Sequence, residues 1–231
     1  MKIVNGKDIV GQKPTILIYG KAGNGKTTAL GLLADKVFKK TGKKTLVLDV
    51  DRTTRVLKGN EHIDVAQIDN IDTWDSWSNT IVELDKMKKE NKLNYGAICV
   101  DNVSELERCI LSDLGSKGKN KGVPAQGDYQ YMQFKLVNSL RFMKSLDVVL
   151  VWTAWETIEQ FTQPDGTSYS RKFPKINAKI VDNICGLCDI VAPLIVKEDG
   201  TRGFVLESMM NIYAKNQFDD RKGCLVEDLI K

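Results

Sequence analysis

The chain reads as an α/β domain built on a mainly parallel sheet flanked by helices, and three observations predict it. Strand-like apolar runs at 15–19, 44–49, 63–68, 95–101 and 147–153 alternate with helical patterns at 26–40, 72–90, 103–114 and 128–146. That is the order of strand, crossover helix and parallel strand. The runs at 97–100 and 148–152 are apolar without alternation, as strands covered on both faces must be, so they belong at the centre of the sheet. A glycine-rich turn, Gly20-Lys21-Ala22-Gly23-Asn24-Gly25-Lys26-Thr27, joins the first strand to the first helix, where backbone amides at a helix N-terminus can meet an anion.

Length and composition bound the rest. With 231 residues, 42% of them hydrophobic, the chain can bury one substantial core, and we expect a single domain over 1–231 with a short polar extension at 1–14. Beyond residue 155 the pattern changes to period two, at 157–162 and 168–173 around Pro164-Asp165-Gly166 and again around Asp199-Gly200, which predicts two C-terminal β-hairpins. The stretch 115–127, rich in Gly and Lys, predicts a long flexible loop. A formal charge of +4 permits a polyanionic partner without requiring one. No apolar run approaches the ~18 residues of a membrane span, and no charged-then-apolar leader is visible, so a cytoplasmic protein is expected.

Five cysteines, at 99, 109, 185, 188 and 224, form no regular framework, which fits a reducing compartment. Cys185-Gly-Leu-Cys188 is a lone CxxC and His62 the only histidine, so a tetrahedral zinc site lacks ligands. The pair is read as a helix packing small residues inward, and His62 as a surface residue before a strand. No nucleophile motif accompanies His62, which argues against triad chemistry.

The chemistry concentrates in the glycine-rich turn, which obeys GxxxxGK[ST]. In such a P-loop the amides of Gly20 to Thr28 curl around phosphate oxygens, Lys26 adds a point charge and Thr27 can hold Mg²⁺. Tyr95-Gly-Ala-Ile-Cys-Val-Asp101 ends a buried strand in a carboxylate, the Walker B arrangement, making Asp101 the expected metal partner of Thr27. Asn102-Val-Ser-Glu105 can add supporting groups or open the next helix. Asp49 and Asp51 close the neighbouring strand two residues apart. They share a face if that strand persists, and Asp51, farther out, is the candidate base for an attacking water.

Together, the P-loop, Asp49-x-Asp51-x-x-x-Arg55, the strand to Asp101 and Val148-Val-Leu-Val-Trp-Thr153 resemble the RecA-type ATPase core. Over about residues 13–222 the chain is similar to the small phage-encoded, single-domain RecA-core proteins of the Sak recombinase group. The resemblance implies a RecA-like sheet, ATP as the nucleotide, Asp51 where that family usually has a Glu base, and Thr153 as a polar sensor. It also implies a basic finger from a neighbouring subunit in a ring or filament, with Lys215 the candidate in Ala214-Lys215-Asn216-Gln217-Phe218 and Arg221 in reserve. Single-stranded DNA would be bound by two loops: 115–127, carrying Lys117, Lys119 and Lys121, and 157–173, carrying Phe161, Tyr169, Arg171 and Lys172. Other phage replication or recombination proteins are implied partners. Basic loops track phosphates and aromatic side chains stack on bases.

Three functions are weighed. The first is a Mg²⁺-dependent, DNA-stimulated ATPase that promotes annealing or strand exchange. The second is an annealing module for which ATP is a conformational ligand. A small-molecule P-loop kinase is the third, and it wants an arginine-bearing lid for which 157–173 offers only Arg171 and Lys172.

Overall fold

A computed structural model describes Asn5 and residues 13–230; most of the expected 1–14 extension lies outside the described residues. The elements in chain order are β1 (Thr15–Gly20), α1 (Lys26–Thr41), β2 (Lys44–Asp49), β3 (Ile63–Gln67), α2 (Thr73–Lys89), β4 (Tyr95–Asp101), α3 (Val103–Lys117) and α4 (Gln126–Lys144). They continue with β5 (Val149–Thr162), β6 (Ser168–Pro174), α5 (Val181–Leu187), β7 (Ile190–Val196), β8 (Arg202–Val205), β9 (Lys215–Asn216) and β10 (Gly223–Leu225). The main path of the sheet runs β10-β8-β7-β1-β5-β4-β2-β3, with β6 paired to β5 and β9 to β7. Pairings from β7 through β3 are parallel, and those of β6, β8, β9 and β10 are antiparallel.

The expected α/β class is therefore what the chain adopts. Its apolar strands β4 and β5 are interior, and both C-terminal hairpins form, β5–β6 and β7–β8.

Strand alternation divides the core into two layers. Leu17 and Tyr19 of β1 and Trp152 of β5 face α2 to α5, where Trp77, Ile110, Leu136 and Ile184 are fully buried. Ile16, Ile18 and Val151 face the other way, under Leu30 and Leu33 of α1. The parallel strands point to the same edge, so the turns after β1, β2 and β4 converge there beside residues 153–155 of β5, as binding sites in open α/β sheets do.

Three expectations change. β5 does not stop at Thr153 but runs on unbroken to Thr162, because β6 pairs with it from Glu156 to Thr162 and supplies the ladder that β4 no longer offers. The loop expected at 115–127 shrinks to 118–125, between α3 and α4. Lys117 belongs to the last turn of α3, where its ammonium lies 2.9 Å from Asp113, 3.0 Å from Asp75 and 3.4 Å from Asp72. That acidic cluster, including an i, i+4 pair, carries the helix past Gly115.

His62 also differs from a simple surface residue. It is half-buried, stacks on Phe38 with ring centroids 4.0 Å apart, and meets Asp35 at 2.9 Å. Cys185 and Cys188 are buried free thiols on and just after α5, as read.

Gly115 allows the shortened loop to fold back onto α3. A Cβ there would lie 2.8 Å from Pro124 N and 2.9 Å from Gly122 O, and neither backbone atom can yield without moving the loop. Gly115→Ala is expected to lower stability by about 1–3 kcal/mol through overpacking, measured by urea unfolding, with nucleotide affinity unchanged.

Candidate functional site

The P-loop is built by backbone conformation. Gly23 and Gly25 lie in the left-handed region, with φ of 81° and 95°, so the chain curls between β1 and α1 in a way that residues with a Cβ strongly resist. Among the described residues, α1 has neither a side-chain cap at its N-terminus nor an acidic residue in its first turn. Its first amides and the positive end of its dipole are thus left for an anionic ligand. Lys26, largely buried, donates from Nζ to the Gly20 carbonyl at 2.9 Å and the Lys21 carbonyl at 3.0 Å. Burial holds its pKa below the usual ammonium value, and the carboxylates of Asp101, Asp51 and Glu156 oppose that shift.

Asp101 is the hub. It ends β4 almost fully buried and accepts from Thr27 Oγ1 at 2.7 Å and from the Thr153 hydroxyl. Burial raises its pKa despite these two bonds. Thr27, Asp101 and Thr153, predicted separately from three segments, therefore form one hydrogen-bonded chain.

Asp49 and Asp51 part company because β2 ends at Asp49. Asp49 is fully buried, with Oδ2 accepting from Thr54 at 2.6 Å; burial raises its pKa. Asp51 stands past the strand end, accepts from Thr53 and, through Oδ2, from Asn102 Nδ2 at 2.6 Å. It lines a cavity of about 530 Å³ with Gly23, Lys26, Thr27, Asp101 and Glu105. A second cavity of about 410 Å³ lies at the opposite edge of the sheet, beside Lys13, Tyr95 and Ile230. The P-loop amides and the carboxylates belong to the first.

Two contributors, Trp155 and Arg202, escaped the sequence reading, and Asn102, read there as able to support the site or open the next helix, does both. Asn102 caps α3 by accepting from Glu105 N at 2.8 Å while it orients Asp51. Trp155 lines the cavity, with Arg108 and Lys175 each within 6 Å of its ring centre, at 5.8 Å and 5.7 Å. Alternation from Thr153 puts residue 155 on the same face and was the available signal. Arg202, from β8, donates to the Asn24 carbonyl at 3.1 Å; no local pattern marks it.

Lys215 is not brought to this site. Its ammonium donates to the carbonyls of Cys185, Gly186 and Cys188 at 3.1, 3.0 and 2.6 Å, satisfying the C-terminal end of α5 in its own chain. Arg221 is likewise held, by Asp219 at 2.8 Å and by the Asp228 and Leu229 carbonyls. On the β5–β6 hairpin, Arg171 bonds Ser208 and sits over Tyr213, 5.2 Å from the ring centre, while Lys172 lies 3.8 Å from buried Glu156. Phe161 and Tyr169 stack on each other, partly exposed, at 5.6 Å, and Lys119 and Lys121 are exposed on the α3–α4 loop.

Free amides at the head of α1, glycines that permit the curl, and a hydroxyl touching a buried carboxylate suit a nucleoside triphosphate and Mg²⁺. The fold and the site define a P-loop ATPase. A sequence model of the AAA domain family matches residues 12–218, most of the chain, and the chain belongs to that family. No curated protein matches it. Among the described residues no helix is long and apolar enough to cross a membrane.

Two outcomes follow from this geometry. A carboxylate whose pKa is raised by folding contributes stability that is complete below its unfolded pKa, about 3.9, and is lost as pH rises through the raised value. Asp101→Asn is therefore expected to leave the ligand-free protein no less stable than the parent at pH 8, while removing the stabilisation added by Mg²⁺ with nucleotide. Thermal unfolding at pH 6 and pH 8, with and without Mg²⁺, checks both. Lys215→Met removes three charge-assisted hydrogen bonds and is expected to cost about 2 kcal/mol by chemical denaturation. Full stability with lost hydrolysis would instead restore the finger role.

Proposed function

We propose that this chain is a Mg²⁺-dependent ATPase that binds single-stranded DNA, assembles as a homo-oligomer and promotes annealing or strand exchange, as its resemblance to phage RecA-core proteins implies. The observation that carries the reading is the continuity of β5. One strand holds Thr153 against Asp101, Trp155 in the nucleotide cavity, and Phe161 on the projecting hairpin. β5 also lies between the P-loop strand β1 and β4, so the polar sensor and the metal carboxylate are neighbours, in keeping with the RecA-like core.

The residues divide the work by chemistry. The amides of Gly23 to Thr28 and the Lys26 ammonium bind the phosphates, and Thr27 and Asp101 would hold Mg²⁺. When bound, Mg²⁺ neutralises phosphate charge. Asp51, fixed by Thr53 and Asn102, orients a water toward the γ-phosphate end of the cavity and accepts its proton at Oδ. Thr153 reports on Asp101 along β5. Exposed Lys119 and Lys121 and the Phe161–Tyr169 pair are the DNA-facing groups of this reading, phosphates to the first and bases to the second. Lys117, Arg171 and Lys172 are engaged within the fold and drop out of that set.

ATP hydrolysis is the test, measured with and without single-stranded DNA at several protein concentrations. The reading expects stimulation that rises steeply with concentration, loss of binding and turnover in Lys26→Ala, and a fall of about 10²-fold or more in turnover in Asp51→Asn. A flat response to DNA overturns the DNA half. Unchanged annealing with abolished phosphate release in Asp51→Asn favours ATP as a conformational ligand.

A further inference from the structure

The nucleotide cavity described above has a metal end but no assigned contact for the base. Arg202 is placed to supply one. It opens β8 on the same strand face as Phe204, whose ring is buried in the core beneath α1, so its guanidinium is directed at the head of that helix. Nε donates to the Asn24 carbonyl at 3.1 Å. The approach is close: a Cβ built on Gly25 would lie 3.2 Å from Nε and 3.5 Å from Cδ. The same seam includes Asn24 Nδ2 donating to the Leu194 carbonyl at 3.4 Å. A Cβ on Gly20 would meet that carbonyl at 3.1 Å.

The fold's own electrostatics do not account for this arginine. Among the described residues it has no carboxylate partner, and it adds positive charge beside Lys26 and the positive end of the α1 dipole. Its position along the P-loop specifies which part of a ligand it would meet. Thr27, Asp101 and Asp51 mark the γ-phosphate end and are reached across β5 and β4, whereas β7 and β8 lie on the other side of β1. P-loop amides point inward at phosphates. Arg202 instead bonds the Asn24 carbonyl from the β7–β8 side of the loop, away from the side that carries Asp101 and Asp51.

We propose that Arg202 holds the nucleoside end of the bound triphosphate, its planar guanidinium laid against the base; this rests on the nucleotide-binding reading of the P-loop. One edge of the guanidinium is held by the Nε bond to Asn24, which leaves both of its faces open to a ring. Guanidinium faces stack on aromatic rings with little regard for base identity. The device would grip purine nucleotides through their π-face and leave ATP-versus-GTP choice to other groups.

The test compares binding of Mg²⁺·ATP with that of Mg²⁺·tripolyphosphate, which has the phosphates and no nucleoside, by calorimetry on the full chain. Arg202→Ala is expected to weaken ATP about tenfold and leave tripolyphosphate unchanged. Arg202→Lys, which keeps the charge and loses the plane, is expected to stay close to the alanine variant for ATP. An unchanged ATP affinity in Arg202→Ala overturns the proposal. Equal losses for both ligands also overturn it, since they would assign Arg202 to the phosphates or to the shape of the P-loop, as would full rescue by lysine. Lys26→Ala serves as the separate control. If it weakens neither ligand, the nucleotide reading itself fails; if it weakens both while Arg202→Ala weakens neither, only the present inference does.

Discussion

Asp101 accepts hydrogen bonds from Thr27 at the head of α1 and from Thr153 on β5, and it does so nearly shielded from water. The arrangement sets the relative position of the P-loop, the end of β4 and β5. A buried carboxylate in such a place is expensive in the charged form, which is why its pKa is raised. The two hydroxyls reduce that penalty without removing it. Lys26, pushed down by its own burial and drawn up by the same carboxylates, is the complementary half. Lys26, Asp51 and Asp101 line one cavity, where opposite charges lower each other's cost of burial.

Around this hub the sheet does the positioning. β5 lies between β1 and β4, so one strand carries both the contact to Asp101 and the arm of a projecting hairpin. Thr153 and the hairpin belong to one continuous strand, whose ladder with β6 includes Glu156 to Pro174 and Phe161 to Tyr169. On the other flank, the β7–β8 hairpin touches the outer rim of the P-loop through Leu194 and Arg202. The nucleotide cavity thus has a hairpin at each side, both anchored in the same sheet. Several basic residues are occupied within the fold: Lys117, Lys215 and Arg221 satisfy acidic clusters and carbonyls of the chain itself.

How much of this was legible is clearest residue by residue. The P-loop, the strand to Asp101 and the interior places of β4 and β5 follow from local pattern, because glycine conformation, strand burial and helix capping are set within a few residues of chain. The turns at Gly166 and Gly200 likewise announced their hairpins. Lys117 and Lys215 were misleading for the complementary reason. A lysine in a polar stretch looks free in sequence, and only packing shows that Asp72, Asp75 and Asp113, or the end of α5, lie within reach. The split between Asp49 and Asp51 depended on where β2 ends, a boundary that the ladder decides rather than either residue.

The sequence alone determined the α/β class, the phosphate loop and the apolar strand that ends in Asp101, since each of these rests on short-range backbone geometry or on the period of apolar residues. Only the tertiary structure decided what stands around that loop. Thr153 bonded to Asp101, Asn102 orienting Asp51, Trp155 in the cavity wall and Arg202 on the rim come from segments dozens to nearly two hundred positions away. Their juxtaposition is fixed by strand order and burial, which are properties of the whole sheet and are not written in any one stretch of the chain.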